Sequence, residues 1–161
     1  MSLYSEIMEQ PARLEAQLKD QRAAVEDAAA RLKELRFEYA FVAARGTSDN
    51  AARYANYLWG AVNHWPVALA TPSLFTFYKQ PPLLREALVV GISQSGQSTD
   101  IVSALEEGRR QGCPTLSITN EPSSPLAEAS DFVLDIQAGA EKATAATKTY
   151  TAQLMSIAML S

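Results

Sequence analysis

Four hydroxyls crowd into the short run Ser93-Gln94-Ser95-Gly96-Gln97-Ser98-Thr99. Hydroxyls and backbone N–H groups at the start of a helix are donors suited to an oxyanion, above all a phosphate. A second hydroxyl turn, Gly46-Thr47-Ser48, lies far upstream. Neither turn carries a cation beyond Arg45. An anion here would therefore be held by neutral hydroxyls, amides and helix starts. Such donors suit a small monophosphate that binds and leaves.

The elements around these turns set their positions. Leu88 to Ile92 is a branched apolar run, which predicts a buried strand, and Ser98 to Gln111 reads as the helix that follows it. Gly112 suits the residue just past that helix. Upstream, Phe37 to Ala44 predicts the first strand and Ala51 to Val62 a helix, with Gly46 free to take a positive φ and Thr47 or Ser48 as cap. Val67 to Ala70, Thr115 to Thr119 and Phe132 to Ile136 complete five strands. Leu126 to Ala129 is a helical turn, Thr149 onward is a helix, and Thr71 to Pro82 reads as an irregular connection.

Strands alternating with helices imply an α/β fold: a three-layer α-β-α sandwich around a parallel sheet. In a flavodoxin-like order 2-1-3-4-5, strands one and three are neighbours at the switch point, where such sheets bind ligands. Thr47-Ser48 and Ser93–Ser98 then flank one crevice.

Pro11 to Leu35 predicts one long N-terminal helix. Ile7, Leu14, Leu18, Val25, Ala28, Leu32 and Leu35 form its apolar stripe, interrupted at Gln21. The stripe either packs on its own domain or meets a second subunit. With the apolar last helix it leads us to expect a homodimer or a higher homo-oligomer.

At 161 residues, 47% apolar and 20% charged, the chain has the composition of one globular domain. No apolar run reaches membrane-spanning length and the N-terminus does not read as a secretory signal. The net charge of −4, with no basic stripe, argues against nucleic acid. One cysteine, Cys113, and one histidine, His64, give no disulfide framework and no metal set. We expect a cytoplasmic protein with no cofactor, no metal and no membrane partner.

Rival motifs fail. There is no P-loop and no G-x-G-x-x-G. Gly91-Ile92-Ser93-Gln94-Ser95 has serine where a nucleophile elbow needs glycine. A flavodoxin phosphate loop follows the first strand, and this one follows the third.

Ile92-Ser93-Gln94-Ser95-Gly96-Gln97-Ser98-Thr99-Asp100 resembles the Ser-Gln-Ser-Gly-Glu-Thr signature of sugar isomerase (SIS) domains. The likeness is to the first SIS half of the glutamine–fructose-6-phosphate aminotransferases and to glucosamine-6-phosphate deaminase-like proteins. Arg45-Gly46-Thr47-Ser48 resembles the family's Gly-Thr-Ser turn. Thr119-Asn120 to Ser130-Asp131 and Glu141 to Gln153 resemble two further family segments, in the family's order. The likeness divides the chain into an N-terminal helical segment, 1–36, and a SIS domain, 37–161.

The resemblance implies a hexose 6-phosphate or amino-hexose 6-phosphate ligand. Carried over by position, Ser93, Gln94, Ser95 and Ser98 would bind the phosphate. Thr47 and Ser48 would contact the sugar, and Thr144, Ala146 and Thr147 its other end. There are departures: Arg45 replaces a cysteine found in part of the family, Gln97 an acid, Ser98 a threonine, and Ala146 a serine, which removes a hydroxyl.

Family enzymes usually carry two SIS halves. The resemblance implies that the proton-moving carboxylate, a ring-opening histidine and a C-terminal lysine lie in the second half, which this chain does not match. Glu141 is the one acid beside a candidate loop and is not expected to serve as that base. Met1-Ser2 offers no N-terminal cysteine nucleophile, so the resemblance favours an isomerase or deaminase over a glutamine-dependent synthase. Two other readings stand beside it: a non-catalytic sugar-phosphate sensor, and an interaction domain without a ligand.

Overall fold

The computed structural model describes residues 2–161. Two helices, α1 (Leu3–Asp20) and α2 (Arg22–Glu34), precede β1 (Tyr39–Ala44) and α3 (Thr47–Val62). β2 (Val67–Leu69), α4 (Ser73–Thr76), β3 (Ala87–Ser93) and α5 (Thr99–Arg110) follow. The chain ends with β4 (Thr115–Thr119), α6 (Pro125–Glu128), β5 (Phe132–Asp135) and α7 (Lys148–Leu160).

All five strands are parallel, in the order β2-β1-β3-β4-β5 that the sequence predicts. β3 is buried along its whole length, as a central parallel strand covered on both faces must be. The pleat sorts its residues. Leu88, Val90 and Ile92, with Ala40, Val42 and Ala44 of β1, join one apolar cluster with residues of α2, α3 and α7. Phe41, Ala43, Ala87 and Val89 join a second with Ile101, Ala104 and Leu105 of α5. These clusters are the two interfaces of the three-layer sandwich.

The N-terminal segment differs from the expected single long helix. Ser2 caps α1 in a reciprocal capping box with Ser5, so the helix begins well before Pro11 and carries that proline inside it. It ends at Gln21, where the predicted stripe was interrupted, and α2 begins one residue later. The stripe holds on α2, where Val25, Ala28 and Leu32 are buried. On α1 only Leu14 keeps to it, packed against the core: Ile7 is 41% and Leu18 50% exposed, while Glu6 and Gln17 are fully buried. The inward face of α1 is polar because its partners are polar. Gln17 Nε2 donates to the Ala152 carbonyl (3.0 Å) and to Ser156 Oγ (2.8 Å) of α7. The connection after β2 is also less irregular than expected, since it contains the single turn α4.

α5 lies close against β3 because Gly108 has no side chain. A Cβ there would stand 2.7 Å from Val89 Cγ2 and 3.0 Å from Val89 Cβ. Alanine favours a helix over glycine by about 1 kcal/mol, yet overpacking costs about 1–3 kcal/mol. Gly108→Ala should therefore lower stability despite its helix propensity, seen as a lower urea midpoint. A raised midpoint would mean that α5 can retreat from the sheet.

Candidate functional site

β1 and β3 are paired side by side, with Ala44 opposite Ile92 at their carboxyl ends. The turns that leave them, 45–48 and 94–98, open on one cavity of about 280 Å³. Gly46 makes the first turn with φ +58, and α3 begins at Thr47, earlier than the sequence suggests. α7 packs along α3 and closes the third side. Trp59 Nε1 donates to the Ile157 carbonyl (3.2 Å), and Gln153 Nε2 donates to Ser48 Oγ (3.0 Å).

The 94–98 turn is held from inside and below. The Gly96 N–H donates to Ser93 Oγ (3.2 Å) and the Gln97 N–H to Ser95 Oγ (3.3 Å). The Asn120 N–H and the Thr119 hydroxyl both donate to the Gln94 carbonyl, and the Leu126 N–H to that of Gly96. Only glycine fits at 96. Its φ is +62, and a Cβ would meet Ser124 Oγ at 2.0 Å. Ser98 is the N-cap residue of α5, with its side chain free of the helix and 3.5 Å from Ser93 Oγ.

Ser48, Ser93 and Ser95 share one property. Each hydroxyl oxygen already accepts an N–H from the protein. The Ser48 and Ser95 O–H protons have no protein acceptor, and the Ser93 proton has only Ser98 Oγ, 3.5 Å away, within reach. Three helices, α3, α5 and α7, also start at this cavity, and helix starts carry partial positive charge. Arg45 is the one charged residue lining it among the described residues, and its guanidinium pairs with Asp100 at 3.0 Å. The site is therefore rich in donors and poor in free charge.

Of the residues singled out from sequence, Ser93, Gln94, Ser95, Ser98, Thr47, Ser48, Thr144 and Ala146 all line this cavity. Thr147 does not. Its N–H and hydroxyl are both turned to Glu141 Oε1, at 2.8 and 3.1 Å. Four further lining residues were given no site role from sequence: Arg45, Thr149, Tyr150 and Gln153. Helical spacing from Thr149 to Gln153 would have found that face of α7. Asn120 braces the 94–98 turn, and residues 120–124 do not line the cavity. Gln153 is buried, and its Oε1 has no protein partner.

The wall between β5 and α7 hangs on Glu141. Its carboxylate accepts from the Thr147 N–H and hydroxyl, and from the Thr149 N–H and hydroxyl. Burial pushes this carboxyl up, but the hydrogen bonds from Thr149 and Thr147 together outweigh it and hold it below the usual range. Cys113 and His64 stand apart from the cavity. Cys113 is buried just before β4 with its thiol pushed up by burial, and His64 is exposed past the end of α3.

The SIS domain family matches residues 38–161. This chain belongs to that family. The chain is 39% identical over 127 residues to the glutamine–fructose-6-phosphate aminotransferase of Thermosynechococcus vestitus, covering 74% of this chain and 20% of that protein. It is 32% identical to that of Caldanaerobacter subterraneus, covering 98% of this chain and 27% of the relative. Among solved structures, a candidate phosphosugar isomerase from Silicibacter pomeroyi superposes with a TM-score of 0.90 at 35% identity, over 97% of this chain and 48% of that one. The C-terminal domain of the Francisella tularensis glucosamine-fructose-6-phosphate aminotransferase gives 0.83 at 29%, over 98% of this chain and 45% of that one. This SIS chain thus spans about a quarter of its curated relatives and about half of these solved chains. No described helix is long and apolar enough to cross a membrane.

The lowered Glu141 carboxyl makes a pH prediction. Its native value lies below its unfolded value of about 4.3. Its contribution to stability is therefore complete above that value, and is lost as pH falls through the native one. The stability gap between wild type and Glu141→Gln should stay constant from about pH 7 to about pH 5 and shrink below about pH 4. Urea midpoints across that range would show it. A gap that persists at the acid end would mean that the carboxylate bonds do not stabilise the loop.

Proposed function

We propose that the cavity binds a hexose 6-phosphate or amino-hexose 6-phosphate, and that this chain is the sugar-phosphate-binding part of an amino-sugar-phosphate isomerase or deaminase. The helical segment 1–36 supports the SIS unit 37–161. The observation that carries the reading is the donor bias of the serines. A phosphate oxygen only accepts, and Ser48, Ser93 and Ser95 are each left with a proton to donate. Ser93, Gln94, Ser95 and Ser98 take the phosphate at the start of α5. Thr47, Ser48, Thr144 and the backbone at Ala146 face the sugar, and Thr147 acts behind them through Glu141. The unpartnered Gln153 Oε1 suits a sugar hydroxyl, which supplies the donor it lacks. The relatives named as fructose-6-phosphate aminotransferases support the substrate class.

A second reading has its own observation. No acid among the described residues lines the cavity, and Glu141 is engaged by four donors. Aldose–ketose interconversion needs a base at the opened sugar. A regulatory domain that senses the sugar phosphate needs none. Incubation with fructose 6-phosphate separates the two: a base brought by a second unit gives turnover, whereas a sensor gives occupancy alone.

Calorimetry with fructose 6-phosphate and glucosamine 6-phosphate tests the common core of both readings. We expect saturable heat with at least one of them, competed by inorganic phosphate. Silence with both, and with other hexose 6-phosphates, would end the proposal. Ser95→Ala removes one hydrogen bond to a charged group and should weaken binding by about 1–3 kcal/mol, roughly five- to hundredfold. Unchanged affinity would take Ser95 out of the phosphate site.

A further inference from the structure

α1 lies outside the cavity, yet it holds the cavity's far wall. Glu6 is fully buried, and its carboxylate accepts the Lys142 N–H at 2.7 Å and the Ala143 N–H at 3.2 Å. One turn on, Glu9 pairs with the buried Lys148 ammonium at 2.8 Å. The hydrogen bond from Lys148 holds the Glu9 carboxyl below its usual range. One turn further, the Arg13 guanidinium carbon would stand 3.0 Å from a Cβ at Gly139, which has φ +73. Glu6, Glu9, Arg13 and Gln17 thus form one polar stripe of α1, and all four meet the β5–α7 loop or α7 itself. Between the residues that Glu6 and Glu9 grip lie Thr144 and Ala146, which line the cavity.

Besides Glu6, the loop is held at its start by Asn120, which donates to the Gly139 carbonyl at 2.9 Å and accepts the Ala138 N–H, and at its α7 end by Glu141. Residues 139–146 are Gly-Ala-Glu-Lys-Ala-Thr-Ala-Ala, with no large apolar side chain to anchor in the core. Its backbone N–H groups at 142 and 143 are donors that need an acceptor, and Glu6 supplies both bonds. Glu6 makes no hydrogen bond to the 94–98 turn. That turn is braced by β4 and the segment after it.

We propose that Glu6 is a positioning residue for ligand binding: through the Lys142 and Ala143 amides it sets the wall that meets the sugar end, and it leaves the phosphate end untouched. This rests on the sugar-phosphate reading given above. It makes α1 part of the binding apparatus and gives the far wall a support of its own, although Asn120 holds both the Gln94 carbonyl of the turn and the Gly139 carbonyl of the loop.

The two ends can be read with two ligands, inorganic phosphate and fructose 6-phosphate, titrated into wild type and Glu6→Gln. The glutamine keeps the size of the side chain and one acceptor for the Lys142 N–H, but sets an NH2 donor against the Ala143 N–H. We expect fructose 6-phosphate to bind roughly tenfold more weakly to the variant, with inorganic phosphate within about twofold of wild type. Equal weakening of both ligands, or of neither, overturns the positioning role alone. If wild type binds neither ligand, the sugar-phosphate reading falls and takes this role with it. Should the variant not fold, amide exchange on wild type carries the test. Fructose 6-phosphate should slow exchange at Lys142 and Ala143 more than saturating phosphate does, and identical protection by the two ligands overturns the proposal.

Discussion

The hydrogen bond from the Gly96 N–H to Ser93 Oγ closes the turn after β3, and the character of the cavity follows from it. With one of its two lone pairs engaged, the Ser93 hydroxyl has its proton and a single acceptor position left for other partners. The same closure is repeated two residues on, where Ser95 Oγ takes the Gln97 N–H. The backbone at Gly96 is left-handed, which glycine adopts freely, and Ser124 Oγ lies 2.0 Å from where a Cβ would stand, so no other residue fits the turn. A turn that tight needs support from outside itself. It receives it from Thr119, Asn120 and Leu126, which hold the carbonyls of Gln94 and Gly96. The parallel pairing of β3 with β4 puts those residues at the same edge of the sheet. Sheet order, turn geometry and hydroxyl direction thus form one chain of causes.

The electrostatics of the cavity come from dipoles more than from ions. A helix start is worth about 0.3–1 kcal/mol to a nearby anion, and more where it is partly buried. Three starts meet here, but they are not equal. Glu141 has already taken the N–H groups at the beginning of α7. The α5 start, capped by Ser98 without a side-chain bond, is the one left for a ligand beside the 94–98 turn. Arg45 adds little free charge because Asp100 faces it at 3.0 Å. A site made this way favours a group that only accepts hydrogen bonds, without holding it as tightly as a cluster of lysines and arginines would.

The sheet order and the two hydroxyl turns were legible in the sequence because both rest on local signals. Branched apolar runs mark strands buried on both faces, and serines around a glycine mark a turn that feeds a helix. The cavity lining was legible to the same extent: Thr47, Ser48 and Ser93 to Ser98 sit next to their strands. The α7 side was harder. Thr147 and Thr149 look alike in sequence, but one faces Glu141 alone and the other also lines the cavity. That difference depends on where the helix starts, which is set by a carboxylate six residues upstream of Thr147. Gln153 was hidden because its partner, Ser48, is far away in sequence.

The first helix departs from its apolar pattern for a physical reason that bears on the site. An apolar stripe predicts the buried face only when what it meets is apolar. On α2 the partners are the core clusters, and Val25, Ala28 and Leu32 turn inward. On α1 the partners are backbone amides, an ammonium and a helix carbonyl, so Glu6, Glu9 and Gln17 turn inward and Ile7 turns out. A buried carboxylate stripe is costly unless each member is matched. Here the two carboxylates are matched by the loop that forms the cavity's far wall and by Lys148 at the start of α7. The cost of burying Glu6 is offset by the two loop amides, whereas Glu9 stays 30% exposed beside the buried Lys148. The Glu6 and Glu9 contacts are thus shared between α1 and the cavity's far wall, which ties the packing of the N-terminal segment to the shape of that wall.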